Sequence, residues 1–446
     1  MPPAAAADGS SHGGQYDSSH GGADLSHIVP FIQGSEEATA RLKGIVEQED
    51  AMIGANELSI VKQVGVGGFG VVYQCRYAPQ RPRPAVEEIV GPASADGSHM
   101  VAVKKLKTPG ELRADMEQAG AKPGDGDAED LSEKAAREHA DALAEFAHEV
   151  LMLKHLKHPN VIAYLGCAIF APPAGTGGEE SLALVLEYSA HGSLKDMIQA
   201  PVGLSHAYTV AEGLQWAHDI AKGMHFLHHC KPPIMHRDLK PGNIMLCGPE
   251  RRAKVADFGL AALCLERRKE LARQATIALS KAGDGARSRV YKQYKTTGGV
   301  GSLRYMAPEN YRGEPYGDHV DQYSFAIIVY EVLLRQKAWT GQYLTESQIA
   351  DAAAGSKHLR PPLPKKWPTE VKDLLTQCWH PDPAQRPSFK PIAHTIQEFL
   401  SPDNSERILK GLSAGGKVSM LEKLGFGSSG KPGAAGNVVG SSTARD

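Results

Sequence analysis

The chain has 446 residues, of which 41% are hydrophobic and 22% charged, and its formal net charge at pH 7 is −2. This composition supports a packed core, and the length allows one large two-lobed domain with tails. The near-neutral charge excludes a chain-wide basic field, so no nucleic-acid partner is expected and electrostatic recognition would depend on local patches.

Residues 1–25 consist mostly of Ala, Gly, Ser and His, and residues 425–446 of Gly, Ser and Ala. Such segments bury too little apolar surface to offset their chain entropy, so both are predicted to be disordered tails. No Lys or Arg precedes Arg41, unlike a signal or transit peptide, and no run approaches the roughly 18 apolar residues of a membrane span. The six cysteines are scattered, which is typical of a reducing compartment. We expect a cytoplasmic protein, with a nuclear location as the alternative.

The elements change character along the chain. Residues 58–77 and 100–106 carry short β-branched runs with glycines, which predict strands. Between residues 131 and 156, Leu143, Phe146 and Val150 recur at three- and four-residue spacing, which predicts a helix. Several helical stretches follow between 209 and 400. The order predicts an α+β fold, with a small β-rich part before a larger helical part.

Three segments interrupt this order. Residues 78–99 are rich in Pro and Gly, and residues 108–130 contain an acidic run. Residues 265–297 hold nine Lys and Arg against three Asp and Glu, a net charge of +6. Because the motifs described next continue on both sides, all three are expected to be surface insertions within one domain.

Residues 65–72 read Gly-Val-Gly-Gly-Phe-Gly-Val-Val. A dinucleotide-binding fold uses similar glycines, but there the motif opens a helix, whereas the β-branched residues here favour a strand. Gly65, Gly67 and Gly70 would then lie at a hairpin tip, where backbone N–H groups can approach phosphate oxygens. Taken alone, the motif could equally be an ordinary glycine turn.

Val101-Ala102-Val103-Lys104 reads as a strand that ends in a cation. A lysine in a half-buried strand needs a carboxylate partner, and the predicted helix offers Glu145 and Glu149. The surrounding residues favour Glu149, although a surface Lys and a surface Glu remain the alternative.

The most informative segment is 236–259, which contains His-Arg-Asp-Leu-Lys-Pro-Gly-Asn (236–243) and Asp-Phe-Gly (257–259). Phosphoryl transfer requires a carboxylate for the hydroxyl proton, oxygen ligands for Mg²⁺ and cations on the phosphates. Asp238 fits the first role, and Lys240 could reach the moving phosphoryl group. Asn243 and Asp257 are hard oxygen donors suited to Mg²⁺.

These motifs, followed by Ala-Pro-Glu at 307–309, stand in the order found in eukaryotic protein kinases, and residues 54–400 resemble that superfamily. The resemblance implies a two-lobed fold. Its N-lobe (54–188) would hold a five-stranded antiparallel sheet and one main helix, and its C-lobe (189–400) would be mostly helical. ATP and Mg²⁺ would bind between the lobes, and proteins would be the substrates.

The resemblance also implies a role for each matching residue. The three glycines would cover the ATP phosphates, and Lys104 would bind the α- and β-phosphates and pair with Glu149. Asp238 would be the catalytic base, and Asn243 and Asp257 the metal ligands. The adenine site would be formed by Val72, Ala102, the gatekeeper Leu186 and the hinge residues Glu187, Tyr188 and Ser189.

Further residues would support this machinery. His236 would be structural, and Arg237 would sense a phosphorylated activation loop. Asp321 would brace the catalytic loop, and Glu309 would pair with Arg386.

Lys240 and the segment 301–306 resemble serine/threonine kinases, and Ser302 would hydrogen-bond near Asp238. Asp-Gln-Tyr-Ser-Phe (321–325) and Cys378-Trp379 resemble the tyrosine-kinase-like group. The activation segment is longer than usual in the family. Phosphorylation there by an upstream kinase, at Thr296 or Thr297, is the hypothesis for its regulation. A solvated basic loop, or one that docks acidic substrates, is the alternative.

Three other functions compete with a kinase. A pseudokinase scaffold would lack Lys104, Asp238, Asn243 or Asp257, and none is lost. A dinucleotide-dependent oxidoreductase disagrees with the strand after the glycines. An interaction protein that acts through its tails has little support, because the tails carry no recognisable module.

Overall fold

The computed structural model describes residues 23–25, 52–81, 83–119, 130–172, 179–200, 208–263 and 302–415. Within these ranges the chain forms an antiparallel sheet near the N-terminus and a larger, mainly helical part. Among the helices described, none combines the length and the apolar character that a membrane crossing needs.

The N-terminal part is built on five strands. They are β1 (Leu58–Val66), β2 (Gly70–Tyr77), β3 (His99–Leu106), β4 (Tyr164–Phe170) and β5 (Ser181–Glu187). Every neighbouring pair is antiparallel, in the order β1-β2-β3-β5-β4. The β1–β2 hairpin therefore turns at residues 67–69, where the glycine motif was predicted to lie.

Two insertions contribute short helices to this part. Helix α1 (Pro84–Val90) buries Val86 in the apolar cluster that also holds Val101 and Val103. Helix α2 (Pro109–Gln118) is capped by Thr108, whose hydroxyl accepts a hydrogen bond from the Glu111 N–H. The Glu111 carboxylate in turn accepts the Thr108 N–H. Each of these two insertions thus forms a short helix that buries one apolar side chain, Val86 in α1 and Leu112 in α2, which the prediction of surface insertions did not include. The third insertion, 265–297, lies outside the described residues.

The main helix of the N-terminal part is α3 (Leu131–Leu153). Asp130 caps its first turn by accepting a hydrogen bond from the Ser132 N–H. Its buried face includes Phe146, Val150 and Leu153, the residues whose spacing predicted the helix.

The C-terminal part contains eight helices within the described ranges. They are α4 (Leu194–Ile198), α5 (Val210–His228), α6 (Pro308–Tyr311), α7 (His319–Leu334), α8 (Glu346–Ala354), α9 (Thr369–Cys378), α10 (Phe389–Leu400) and α11 (Ser405–Gly415). Every residue from Val320 to Leu334 is buried, so α7 runs through the middle of the core. Apolar residues from Phe325 to Val329 cover every side of this helix, and its buried carboxylates Asp321 and Glu331 have hydrogen-bond partners.

Two separate two-stranded sheets follow in the C-terminal part. Strand β6 (Ile234–Met235) pairs with β9 (Ala262–Leu263), and β7 (Ile244–Cys247) pairs with β8 (Arg252–Val255). Both pairs are antiparallel. They place residues 236–243 and 256–261 side by side, although the two segments are separate in sequence.

The packed unit extends beyond the predicted limits of 54 and 400. Ile408 and Leu412 of α11 are fully buried in the helical core, because this helix packs against α5 and α10. Leu25 is also fully buried there, and its N–H donates to the Lys231 carbonyl. Residues 23–25 therefore depart from the predicted disordered tail, since an apolar side chain and backbone hydrogen bonds hold them. The observed architecture is the α+β, two-lobed one that the resemblance implies.

Candidate active site

A lysine and two carboxylates meet beneath the sheet. Lys104 Nζ, on β3, lies 2.7 Å from Glu149 Oε2 on α3 and 3.3 Å from Asp257 Oδ1. Burial disfavours the charged ammonium, but Asp257 and Glu149 outweigh it, so the pKa of Lys104 is raised. The Lys104 ammonium in turn lowers the pKa of Asp257. The cluster joins three elements and keeps one fixed positive charge in the cleft.

Glu145, the other carboxylate considered for Lys104, lies one turn earlier on α3. Burial raises its pKa from 4.5 to about 7, with the negative charge of Asp257 adding to the effect and Lys104 opposing it. A Cβ built on Gly259 would lie 4.0 Å from Glu145 Oε2, so this carboxyl borders the Asp-Phe-Gly segment. Sequence reasoning assigned it no role, because helical spacing alone presents both glutamates.

Apolar side chains adjoin Lys104 on the same face of the sheet. Val72 lies opposite Lys104 in the β2–β3 register, and Ala102 lies opposite Leu186 in the β3–β5 register. Directly opposed residues in a sheet project to the same face, and residues two apart on a strand share a face. Val72, Ala102 and Leu186 are each half-buried. The structure thus places these three predicted adenine contacts beside the lysine.

The segment after β5 is held by its side chains. Glu187 Oε2 accepts from Lys254 Nζ at 2.6 Å, and both side chains are largely buried. The Ser189 hydroxyl lies 2.7 Å from the carbonyl oxygens of Gly192 and Leu246. With these side chains engaged by the C-lobe, the backbone of Glu187 to Ser189 is the part suited to contact a ligand.

The glycine turn approaches β3 closely. A Cβ on Gly70 would lie only 2.9 Å from the Lys105 carbonyl oxygen, which no side chain tolerates. Within the turn, the Gly67 N–H donates to the Gly70 carbonyl at 2.8 Å. Gly70 is therefore required by packing as well as by any ligand.

Two predicted catalytic-loop residues, Lys240 and Asn243, converge on one carboxylate oxygen of a third, Asp238. Asp238 Oδ2 accepts from Lys240 Nζ at 2.6 Å and from Asn243 Nδ2 at 3.1 Å. Asn243 Nδ2 also donates to the Asp238 backbone carbonyl at 2.9 Å. These bonds fix the Asp238 carboxylate with its second oxygen, Oδ1, as the atom suited to receive a substrate proton.

Asp321 of α7 holds the backbone of the catalytic loop. Its carboxylate oxygens accept the N–H groups of His236 and Arg237, both at 2.9 Å, and Oδ2 also contacts His228 Nε2 at 2.9 Å. Burial would raise the pKa of Asp321, but these partners lower it. Arg237 has a φ of 66°, a left-handed conformation that is costly for a side chain other than glycine. The buried carboxylate stabilises that conformation.

The His236 ring also has a structural position. It is fully buried, its Nδ1 accepts the Asp238 N–H at 3.3 Å, and Nε2 then donates to the Ala256 carbonyl at 3.0 Å. Both ring nitrogens are therefore occupied by backbone groups. This arrangement ties the catalytic loop to the strand that leads to Asp257.

Asn243 and Asp257 lie at the same end of the β7–β8 hairpin. The Ala256 N–H donates to the Asn243 carbonyl at 2.9 Å, and Asp257 follows directly with a φ of 67°. An amide oxygen and a carboxylate are hard ligands that fit Mg²⁺, which binds through one or two protein groups plus substrate phosphates. The described part of the chain has no group of three or more His, Cys, Asp or Glu that could hold a metal.

The start of the activation segment is anchored from both lobes. Arg237 Nε donates to the Leu260 carbonyl, and His148 Nε2 of α3 lies 2.8 Å from the Ala261 carbonyl oxygen. At the other end, Glu309 and Arg386 form a buried two-point ion pair at 2.6 and 3.0 Å. Thr296 and Thr297 lie outside the described residues, as does the side chain of Ser302.

Sequence reasoning missed three residues that support this site: His148, His228, and Lys107, whose Nζ donates to the carbonyls of Gly67 and Gly68. The sequence gave a weak indication of the two histidines: His148 directly precedes Glu149, and His228 lies in a stretch predicted to be helical. Lys107 contacts the glycine turn, and nothing in the sequence indicated that contact. Histidines and lysines are common on helix and strand surfaces, so the packing alone identifies these three.

Comparisons with known proteins agree with this geometry. The family model described as protein kinase domain matches residues 130–397. The serine/threonine-protein kinase CTR1 of Arabidopsis thaliana is 33% identical over 59% of the chain, and mitogen-activated protein kinase kinase kinase 7 of Drosophila melanogaster is 30% identical over 56%. A probable serine/threonine-protein kinase of Dictyostelium discoideum is 29% identical over 78%. The chain spans less than a third of these relatives, 27%, 31% and 29% of their respective lengths.

Proposed function

Since the chain belongs to the protein kinase family and is similar to its serine/threonine, tyrosine-kinase-like members, we propose that it transfers the γ-phosphoryl group of ATP to serine and threonine hydroxyls of proteins. The single observation that carries the proposal is the convergence of Lys240 and Asn243 on one oxygen of Asp238. The family match begins at residue 130, and the structure adds the glycine turn and Lys104 that lie before it.

In the proposed reaction, the acceptor hydroxyl lies against Asp238 Oδ1, and its oxygen attacks the γ-phosphorus in line with the departing ADP. The new O–P bond forms as the bond between the γ-phosphorus and the β–γ bridging oxygen breaks, and the hydroxyl proton passes to Asp238. Lys240 Nζ, 2.6 Å from Asp238 Oδ2, is near enough to stabilise charge on the transferred group.

Lys104 would hold the α- and β-phosphates, with Glu149 fixing the direction of its ammonium. Asn243 and Asp257 would hold Mg²⁺, which supplies charge neutralisation on the phosphate oxygens when it is bound. Val72, Ala102 and Leu186 would pack on adenine, and the backbone of Glu187 to Ser189 would accept and donate its hydrogen bonds.

Serine and threonine are the proposed acceptors because Lys240 follows the His-Arg-Asp-Leu motif and because the named relatives are serine/threonine kinases. A kinase cascade is the proposed setting, since one relative is named mitogen-activated protein kinase kinase kinase 7. A reducing compartment, cytoplasmic or nuclear, belongs to the proposal because the described cysteines are unpaired thiols.

Regulation by activation-loop phosphorylation, carried out by an upstream kinase, is also proposed. A phosphate on Thr296 or Thr297 would join Arg237, which already contacts the start of the activation segment. Replacing both threonines with alanine should lower the activity of the fully modified enzyme about tenfold or more. Unchanged activity of the double variant would remove this part of the proposal.

The primary experiment measures transfer of label from γ-labelled ATP, with Mg²⁺, by the purified full chain to itself and to a generic basic protein. Asp257→Ala and Lys104→Met serve as controls, and both should lose activity by orders of magnitude while remaining folded. Phosphoamino-acid analysis should find the label on Ser and Thr. If wild-type protein that has been treated with an upstream kinase binds ATP but transfers no label, the chain is a nucleotide-binding scaffold instead.

A further inference from the structure

Lys107, directly after β3, binds the glycine turn at three successive residues. Its Nζ donates to the Gly67 carbonyl at 2.8 Å and to the Gly68 carbonyl at 3.2 Å. Its backbone N–H donates to the Phe69 carbonyl at 3.0 Å. Only 9% of the Lys107 side chain is exposed, so this ammonium is committed to these contacts and not to solvent.

These contacts set the direction of the neighbouring N–H groups. In a trans peptide the C=O of one residue and the N–H of the next point to opposite sides. With the carbonyls of residues 67, 68 and 69 turned toward Lys107, the N–H groups of Gly68, Phe69 and Gly70 are directed away from it. Successive N–H groups on one side of a turn form a concavity that attracts anions.

Lys107 is itself positioned by two helices. Its Nζ lies 2.7 Å from Asp115 Oδ2 on the inserted helix α2. Its carbonyl accepts from His139 Nδ1 of α3 at 2.9 Å. A largely buried ammonium requires such partners, and Asp115 is the carboxylate that supplies the balancing charge.

We propose that Lys107, held by Asp115 of α2, is a positioning residue that orients the glycine-turn N–H groups toward the nucleotide phosphates, so that the inserted helix sets phosphate affinity. The inference rests on the proposed function, because it assumes that a nucleotide occupies this cleft. It goes beyond that function by assigning a role to an insertion between the two motif segments that hold Lys104 and Glu149.

Neighbouring Lys105 provides a matched control. Lys105 Nζ lies 3.0 Å from Glu111 Oε1, so it too forms an ion pair with α2, one turn before Asp115. None of its side-chain contacts that the structure shows reaches a glycine-turn carbonyl. Replacing Lys105 therefore disturbs the attachment of α2 without removing the contact that the proposal depends on.

The test compares two ligands that share adenosine and differ in phosphate. Dissociation constants of Mg·ADP and of adenosine are measured by calorimetry for the wild-type chain and for Lys107→Met, Lys107→Arg, Asp115→Asn and Lys105→Met. Lys107→Met should weaken Mg·ADP binding about tenfold, the effect of losing one charge-assisted hydrogen bond. Adenosine binding should not change. Lys107→Arg should restore most of the lost Mg·ADP affinity. The dissociation constant of Mg·ADP for Asp115→Asn should lie between those of the wild-type chain and Lys107→Met, and Lys105→Met should match the wild-type chain.

If Lys107 were purely structural, Lys107→Met would weaken the binding of Mg·ADP and of adenosine equally. The ratio of the two dissociation constants would then equal that of the wild-type chain, and this result would overturn the proposal. Asp115→Asn keeps the lysine, so it provides the answer if Lys107→Met does not fold. A wild-type chain that binds neither ligand would overturn the proposed function and this inference together. Normal wild-type binding and phosphoryl transfer with no selective loss in the variants would overturn this inference alone.

Discussion

The glycine turn and the catalytic loop are held in opposite ways. The catalytic loop, residues 236–243, is fixed by Asp321, whose buried carboxylate accepts two backbone N–H groups. The glycine turn, residues 67–70, is fixed by Lys107, whose ammonium donates to two backbone carbonyls. Asp321 is enclosed by the helical core, whereas Asp115, the partner of Lys107, is 52% exposed.

This difference matches what each loop would have to do. A base must keep one geometry through every turnover, and a carboxylate in a low-dielectric core gives strong, unscreened hydrogen bonds. A turn over the phosphates must admit and release a nucleotide, and a partly exposed ion pair is weak enough to permit that. The fold thus combines a rigid brace in the C-lobe with an adjustable one in the N-lobe.

The strongest test of the rigid brace is Asp321→Asn. The amide keeps one acceptor oxygen but loses the charge that faces His228 and two N–H groups, so the free energy of unfolding should fall by about 3–5 kcal/mol. A shifted loop should lower kcat about a hundredfold. Urea unfolding and steady-state kinetics measure the two effects, and Asp373→Asn, at an exposed position of α9, is the control. Wild-type kcat in the Asp321 variant would contradict the brace.

The next test asks whether packing near the start of the catalytic loop also holds that loop in place. Leu25 is fully buried beside Lys231, a few residues before the loop. Leu25→Ala should lower the free energy of unfolding by about 2–5 kcal/mol, because it leaves a cavity. We expect kcat to stay at the wild-type value well below the unfolding temperature. A large fall in kcat would show that packing, and not Asp321 alone, holds the loop.

A third test uses pH to probe the C-lobe core near the activation segment. Glu331 of α7 accepts from Tyr305 Oη at 2.9 Å and from the Ala338 N–H at 2.8 Å. Burial raises its pKa from 4.5 to about 7 despite these hydrogen bonds. The unfolded chain therefore loses this proton at lower pH than the folded chain does.

It follows that the contribution of Glu331 to stability declines as pH rises between 4.5 and about 7, by up to about 3 kcal/mol. Glu331→Gln should flatten that part of the stability profile, measured as the free energy of unfolding at about pH 5 and about pH 8. An unchanged slope in the glutamine variant would show that Glu331 ionises normally.

The smallest expected effect concerns salt. Asp115→Asn should raise the KM for ATP by at most about fivefold at low ionic strength, the usual range for an exposed ion pair. The ratio of KM between variant and wild type should approach one as salt rises from about 0.1 M to about 1 M. The kcat deficit of Asp321→Asn should persist over the same range. Equal salt dependence of both deficits would remove the distinction between the two braces.

Much of the site could be predicted from short segments of sequence. Asp238, Lys240 and Asn243 lie within six residues, so their meeting depends on one loop conformation that the motif itself specifies. Lys104 and Glu149 are 45 residues apart, and the strand and helix patterns were sufficient to suggest the pair but not to exclude Glu145. The surrounding residues and the family resemblance favoured Glu149, and the packing of α3 against the sheet brings Lys104 Nζ to 2.7 Å from its carboxylate.

The insertions show where local patterns stop being informative. Proline, glycine and acidic residues predicted surface insertions at 78–99 and 108–130, but gave no sign that Val86 and Leu112 are buried. One apolar residue among polar ones carries almost no periodic signal, and its burial depends on which surface happens to lie nearby. Leu25 was missed for the same reason.

By itself, the sequence determined the order of a small β-rich part and a larger helical part, the α+β class and the motifs that carry the candidate site, because each is encoded in a period or a contiguous motif. The tertiary structure alone decided the contacts of residues to which the sequence assigned no role: His228 with Asp321, His148 with Ala261, and Lys107 with the glycine turn. Those contacts depend on side-chain directions and distances that emerge only when separate elements pack together, and no spacing along the chain specifies them.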